Sequence, residues 1–193
     1  QRHSPIYLIF LSTFLRFDFT LDQIRFLHLH LSLPLIYFFY KCLHLRFQNV
    51  KQIYLVVLSC VIFLSPTFRS LSIWPDSRLP GLMFFTITIY FFLKYQTNYL
   101  EKYAWLTSTF LIISSYISPN FSLFFPFFFY FFQKNLLIKK LIFLLIFNIL
   151  ASLPIFYYLF VLDINFLVAG KTPGIDDNTI SLDFNFSNKI LII

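Results

Sequence analysis

Long apolar stretches separated by short polar connections are the feature that most constrains this chain. A helix needs roughly 20 mostly apolar residues to cross a bilayer, and stretches approaching that length recur throughout the sequence. Charged residues make up 12% of the 193 residues, and 30 residues are Phe. Soluble domains carry about 25% charged residues. The sequence therefore excludes a soluble enzyme, a disordered chain and a disulfide scaffold, and it predicts an all-α, multi-pass transmembrane helical bundle.

About seven spans are predicted from the apolar stretches. They cover residues 5–17, 27–45, 52–68, 79–93, 103–118, 121–132 and 141–162. The apolar stretch from 103 to 132 is too long for one span, and it contains Ser118-Pro119-Asn120. Proline lacks the N–H that a helix interior needs, and the residue before it avoids the α region. We therefore expect two helices here rather than one.

The charged residues sort into two sets along the predicted spans. One set of connections carries eight basic residues and a single acid, Glu101; the basic residues are Lys41, Arg46, Lys51, Lys94, Lys102, Lys134, Lys139 and Lys140. The alternate set carries six basic and seven acidic residues. Because Lys and Arg accumulate in cytoplasmic connections, the first set is predicted to be cytoplasmic. The net charge of +7 is then explained by basic residues that flank spans of a lipid bilayer. No nucleic-acid partner is expected.

The ends of the sequence suggest a piece of a longer protein. The chain starts at Gln1, its one methionine is Met83, and residues 190–193 resemble the first turn of a further apolar segment. We therefore treat residues 1–193 as a single transmembrane domain, expected to be a fragment. The predicted outer loops are 18–26, 66–80 and 163–189, and they are longer and more polar than the cytoplasmic ones.

The first outer loop holds the best candidate for a catalytic group. Asp22 follows the first span directly and is flanked by Gln23 and Arg25. A carboxylate there can act as a general base on an acceptor hydroxyl, or it can bind a hard divalent cation. The alternative is a structural role at the start of an interfacial helix, which Asp favours. Asp18 has the same two interpretations.

The second outer loop, 66–80, offers groups suited to a phosphate and a sugar. Arg69 and Arg78 present planar guanidinium forks that match phosphate oxygens. Trp74 offers an apolar face for a sugar ring or for the lipid interface, and Asp76 lies between the tryptophan and Arg78. Headgroup contacts and the aromatic belt of membrane proteins explain the same residues equally well.

These residues together resemble the C superfamily of integral-membrane glycosyltransferases (GT-C), specifically bacterial relatives of the dolichyl-phosphate-mannose protein mannosyltransferases. The resemblance rests on the Asp-Gln-x-Arg element at 22–25, a second span bearing Pro34, a third ending in Ser65-Pro66, and a loop with Trp74-Pro75 and Pro80.

The resemblance implies an inverting transfer of a hexosyl or pentosyl group from a polyprenyl-phosphate donor to an acceptor at the outer, periplasmic or lumenal, face. It places the catalytic base on Asp22, with Asp18 as the fallback, and brings Arg25, Arg69, Trp74, Asp76 and Arg78 near the substrates. A bacterial plasma membrane is expected rather than the endoplasmic reticulum. The resemblance does not decide whether a metal is required; a divalent cation is the candidate cofactor.

Two other classes of function are alternatives to sugar transfer. A non-enzymatic flippase, transporter or polysaccharide-assembly component would show inverted repeats or charged groups lining a midplane cavity, and no such repeat is visible. An acyltransferase would need an embedded histidine with an acidic partner, for which His28 and His30 are the candidates. Otherwise both histidines are interpreted as interfacial polar residues.

Overall fold

The computed structural model describes residues 5–160 of the chain, and the side chains of 7–154. This part is helical throughout and contains no strand. Its nine α-helices are α1 (Pro5–Arg16), α2 (Leu21–His30), α3 (Ser32–Arg46), α4 (Gln52–Cys60), α5 (Pro66–Ile73), α6 (Arg78–Asn98), α7 (Glu101–Ile117), α8 (Phe125–Asn135) and α9 (Ile138–Phe160). Two 3₁₀ segments, Val61–Leu64 and Pro119–Phe124, precede α5 and α8. The predicted all-α class is confirmed for these residues.

The first three helices are arranged as one short helix, α1, followed by a long, nearly continuous helical segment made of α2 and α3. After α1 the chain turns through Asp18, whose φ of 57° lies in the left-handed region. Thr20 then caps α2, and Leu31, with helical φ and ψ, joins α2 to α3. The combined segment Leu21–Arg46 has 26 residues and is roughly 39 Å long at the helical rise. The predicted loop 18–26 is therefore largely the first turns of a helix.

The third predicted span, 52–68, is broken in the structure. The helical segment Gln52–Leu64 ends before Ser65, and α5 leaves it at an angle of 75°. The Ser65 hydroxyl accepts a hydrogen bond from the Phe68 amide at 3.3 Å, and Pro66 occupies the first turn of α5. Serine as N-cap followed by proline is a strong helix-start signal. The break is therefore local in origin, and the predicted 66–80 loop contains a helix.

Helices α6 and α7 form the central antiparallel hairpin. Tyr99, in the left-handed region with φ 52°, ends α6. Near the opposite end of the hairpin, the Ser114 hydroxyl donates to the Gly81 carbonyl at 2.8 Å. Thr88 and Thr107 are fully buried. Small residues let helix backbones approach closely, and Gly81 illustrates this, since a Cβ added there would lie 2.7 Å from the Ser118 Cβ.

The expected division at Pro119 is present. Helix α7 ends at Ile117, and a 3₁₀ segment leads into α8. Aromatic rings fill the space between α8 and the hairpin: Phe92 packs against Phe128 with ring centres 4.8 Å apart, and Tyr95 meets Phe132 edge-on at 5.1 Å. Helix α9 joins the same core through the buried Leu144.

Length and composition qualify one helical segment of the described residues as a membrane span, namely Leu21–Arg46. A second qualifies if the bent pair Gln52–Leu64 and Pro66–Ile73 is counted as one span. This is weak evidence for a membrane protein, and it covers one or two of the seven predicted spans.

Candidate functional site

Asp22 lies at the exposed start of α2. Thr20 and Gln23 form a reciprocal capping box, with the Thr20 amide donating to the Gln23 side chain at 2.8 Å and the Gln23 amide donating to the Thr20 hydroxyl at 3.3 Å. Asp22 sits in the first turn, where the helix dipole favours a negative charge. Its side chain is 88% exposed, and its Oδ1 accepts a hydrogen bond from Arg25 at 3.1 Å.

Arg25 connects the two predicted outer regions. Its guanidinium carbon lies 4.5 Å from the centre of the Trp74 ring, within the range of a cation–π contact. Trp74 itself remains 58% exposed. The Nε of Arg25 is buried and has no hydrogen-bond partner. The structure thus brings Asp22, Arg25 and Trp74 together.

Asp76 and Arg78 form a tight local pair at the start of α6. The Asp76 carboxylate accepts hydrogen bonds from Arg78 Nε at 3.0 Å, Nη2 at 2.8 Å and the backbone amide at 2.7 Å. The hydrogen bond to this carboxylate raises the pKa of Arg78 above its ordinary value. Asp76 is buried whereas Arg78 is exposed. The Asp76 carboxylate therefore holds the Arg78 side chain in place at the surface.

His28 is buried among the helices, which its interpretation as an interfacial polar residue did not include. It is 3% exposed, with Nε2 lying 3.0 Å from the Leu71 carbonyl and Nδ1 lying 3.0 Å from the Tyr7 hydroxyl. A carbonyl can only accept, so we assign the proton to Nε2, and Nδ1 then accepts from Tyr7. Asp76 lies within electrostatic range of both rings. His28 thereby ties α1, α2 and α5 together.

Two predicted site residues stand apart from this arrangement. Asp18 occupies the turn after α1, and Arg69 lies on the exposed side of α5. Neither side chain makes an ion pair or hydrogen bond among the described residues.

No group of three His, Cys, Asp or Glu residues that could hold a metal ion occurs within the described part. The predicted outer loop 163–189 and residues 190–193 lie outside the described residues.

Sequence reasoning missed Tyr7, and it named His28 only as a candidate for acyl transfer. They are far apart in the sequence and belong to no motif, so no local signal marks them. Comparisons of this chain with protein families, with curated proteins and with solved structures gave no match.

Proposed function

We propose that this chain is a multi-pass membrane protein of about seven spans that transfers a sugar from a polyprenyl-phosphate donor to an acceptor at the outer membrane face. The observation that carries the proposal is the contact of Arg25 with Trp74. Through Arg25 it joins the carboxylate of the first outer region to the aromatic residue of the second.

Exposed apolar surface supports the placement in a bilayer. Helix α4 and the 3₁₀ segment after it expose Ile53, Val57 and Leu64, the last to 75%. Helix α9 exposes a comparable apolar face that begins with Ile138, which is 73% exposed. Contiguous apolar patches on this scale mark membrane or protein contacts, and a bilayer covers both helices at once.

The arrangement of basic residues supports the same placement. Glu101 at the start of α7 pairs with Lys140 at the start of α9, so both helices begin at the same end of the bundle. Lys94 and Lys102 flank the α6–α7 turn at this end. These are members of the basic set predicted to be cytoplasmic. Asp22 and Trp74 belong to the opposite, outer set.

The chemistry assigns a role to four residues of the site. The acceptor oxygen attacks the anomeric carbon while the bond from that carbon to the phosphate oxygen breaks, and the lipid phosphate leaves with the bonding electrons. Asp22 accepts the proton of the acceptor hydroxyl. Arg25 and Arg78 stabilise the negative charge of the departing phosphate. Trp74 provides an apolar face for the sugar ring. No step is assigned to a metal ion.

Replacing Asp22 in the full-length protein tests the proposal. Asp22→Asn removes the base and keeps the size of the side chain, so sugar transfer from a polyprenyl-phosphate sugar should fall by about 10²-fold or more. Glu101→Gln removes a carboxylate at the opposite end and serves as the matched control. Unchanged transfer in Asp22→Asn would refute the role of Asp22, and loss in Asp18→Asn alone would move the base to that residue.

One observation favours acyl transfer as a second candidate. The buried His28 and the nearby Asp76 meet the expectation of an embedded histidine with an acidic partner. However, both ring nitrogens of His28 are already hydrogen-bonded, so neither is free to act as a base on an acceptor. Sugar transfer that survives His28→Gln, with no acyl transfer by the wild type, would favour the first candidate.

A further inference from the structure

Three lysines at the basic end, one each on α3, α6 and α7, lie over tyrosine rings. Lys41 Nζ lies 5.4 Å from the centre of the Tyr37 ring on α3. Lys94 Nζ lies 4.9 Å from the centre of the Tyr90 ring, which packs against Phe38 on α3 with ring centres 5.5 Å apart. Lys94 and Lys102 then approach the Tyr103 ring to 5.5 and 5.1 Å. We call Lys41, Lys94, Lys102, Tyr37 and Tyr103 the lysine–tyrosine cluster.

The lysine–tyrosine cluster lacks a carboxylate of its own. Glu101 is adjacent to Lys102 in the sequence, but its carboxylate is paired with Lys140 on α9. None of the three cluster lysines forms an ion pair among the described residues. Aromatic faces attract cations through their quadrupole but carry no net charge. Three positive charges on the packed helices α3, α6 and α7 therefore have no described counter-charge, which is an arrangement that an external anion stabilises.

We propose that the lysine–tyrosine cluster binds the headgroup of an anionic phospholipid in the cytoplasmic leaflet of the bilayer. Tyrosine is favoured at the level of the headgroups, and lysines near the surface are attracted to the anionic lipids of that leaflet. Because the three lysines come from three helices, one bound headgroup holds those helices together. This inference rests on the membrane placement in the proposed function and not on its sugar chemistry.

Native mass spectrometry of the full-length protein in detergent tests the inference. Phosphatidylglycerol and phosphatidylcholine are added in turn to the wild type and to the triple variant Lys41→Gln, Lys94→Gln, Lys102→Gln. Each lysine near an anionic surface contributes about fivefold to binding, so the triple variant should bind phosphatidylglycerol about a hundredfold more weakly. Binding of phosphatidylcholine should be weak and equal in both proteins.

A matched control removes the same charge elsewhere on the basic side. The variant Arg46→Gln, Lys51→Gln, Lys139→Gln changes three residues that lie over no aromatic ring in the described part, and it should keep the affinity of the wild type. If the cluster triple variant loses its helical circular dichroism, the three single Lys→Gln variants replace it, each with about a fivefold loss.

Equal phosphatidylglycerol binding by wild type and cluster variants would overturn the inference. An equal loss in the cluster and control variants would also overturn it, because the effect would then be one of total charge. The outcome is separable from the proposed function: lipid selectivity can persist in a protein that transfers no sugar, and Asp22→Asn should leave it unchanged.

Discussion

Gly81 provides the sharpest test of the central hairpin. Its substitution Gly81→Ala adds a Cβ that would lie 2.7 Å from the Ser118 Cβ and 3.2 Å from the edge of the Phe121 ring. The Phe121 ring can rotate away, but the Ser118 Cβ is fixed to the backbone. The end of α7 must therefore move away from α6, which also lengthens the 2.8 Å hydrogen bond from Ser114 to the Gly81 carbonyl.

Two opposing effects set the size of the change. Forcing extra atoms into a packed site costs about 1–3 kcal/mol, whereas alanine is a better helix former than glycine by about 0.5–1 kcal/mol. The free energy of unfolding should therefore fall by about 1–2 kcal/mol. For a chain of this size, that lowers the apparent melting temperature by roughly 2–8 °C. Thermal unfolding in detergent, followed by intrinsic fluorescence, measures the shift.

The double variant Gly81→Ala, Ser118→Gly separates the clash from other effects. Removing the Ser118 Cβ relieves the closest contact, so the double variant should be more stable than the sum of the two single changes predicts. A Gly81→Ala protein that is as stable as the wild type, or more stable, would refute the close approach of α6 to Ser118. Additive effects in the double variant would show that the contact is not the source of the loss.

Two further predictions concern charge and sidedness. The hydrogen bond from Lys140 lowers the pKa of Glu101 below its ordinary value of about 4.5, so the pair stabilises the protein above that value and the effect is lost as the pH falls through the lowered pKa. The difference in melting temperature between wild type and Glu101→Gln should therefore be largest near neutral pH and should vanish in acid; a difference that persists in acid contradicts the pairing. In a Cys60→Ala background, Ser70→Cys should react with a membrane-impermeant maleimide in intact cells, whereas Gln48→Cys should react only after lysis. Equal labelling of both positions would contradict the assigned sides.

Much of the helix pattern follows from local signals. The break at Ser118-Pro119 is predictable because proline and its predecessor restrict only their own turn of backbone. The break at Ser65 has the same cause, although the predicted span continued to residue 68 because its hydropathy stays high. Composition averages over many residues, so it located the apolar segment but not the 75° bend within it.

The candidate site is only partly visible in the sequence. Asp22, Arg25 and Trp74 were selected for their chemistry, but their contact depends on how α5 packs against α2. His28 was interpreted as an interfacial residue, yet it is buried through partners on two other helices. A histidine without a motif carries no signal of burial, because the groups that bury it are brought together only by folding.

The sequence by itself determined the helical class, the helix break at Ser118-Pro119 and the separation of basic from acidic connections. These depend on hydropathy, proline and charge, which act within a few residues of each position. The tertiary structure decided which distant groups meet: His28 with Leu71, 43 residues apart, and Glu101 with Lys140, 39 residues apart. It also placed Lys94 and Lys102 over the same Tyr103 ring. Such contacts depend on the packing of whole helices, to which every side chain in the interface contributes.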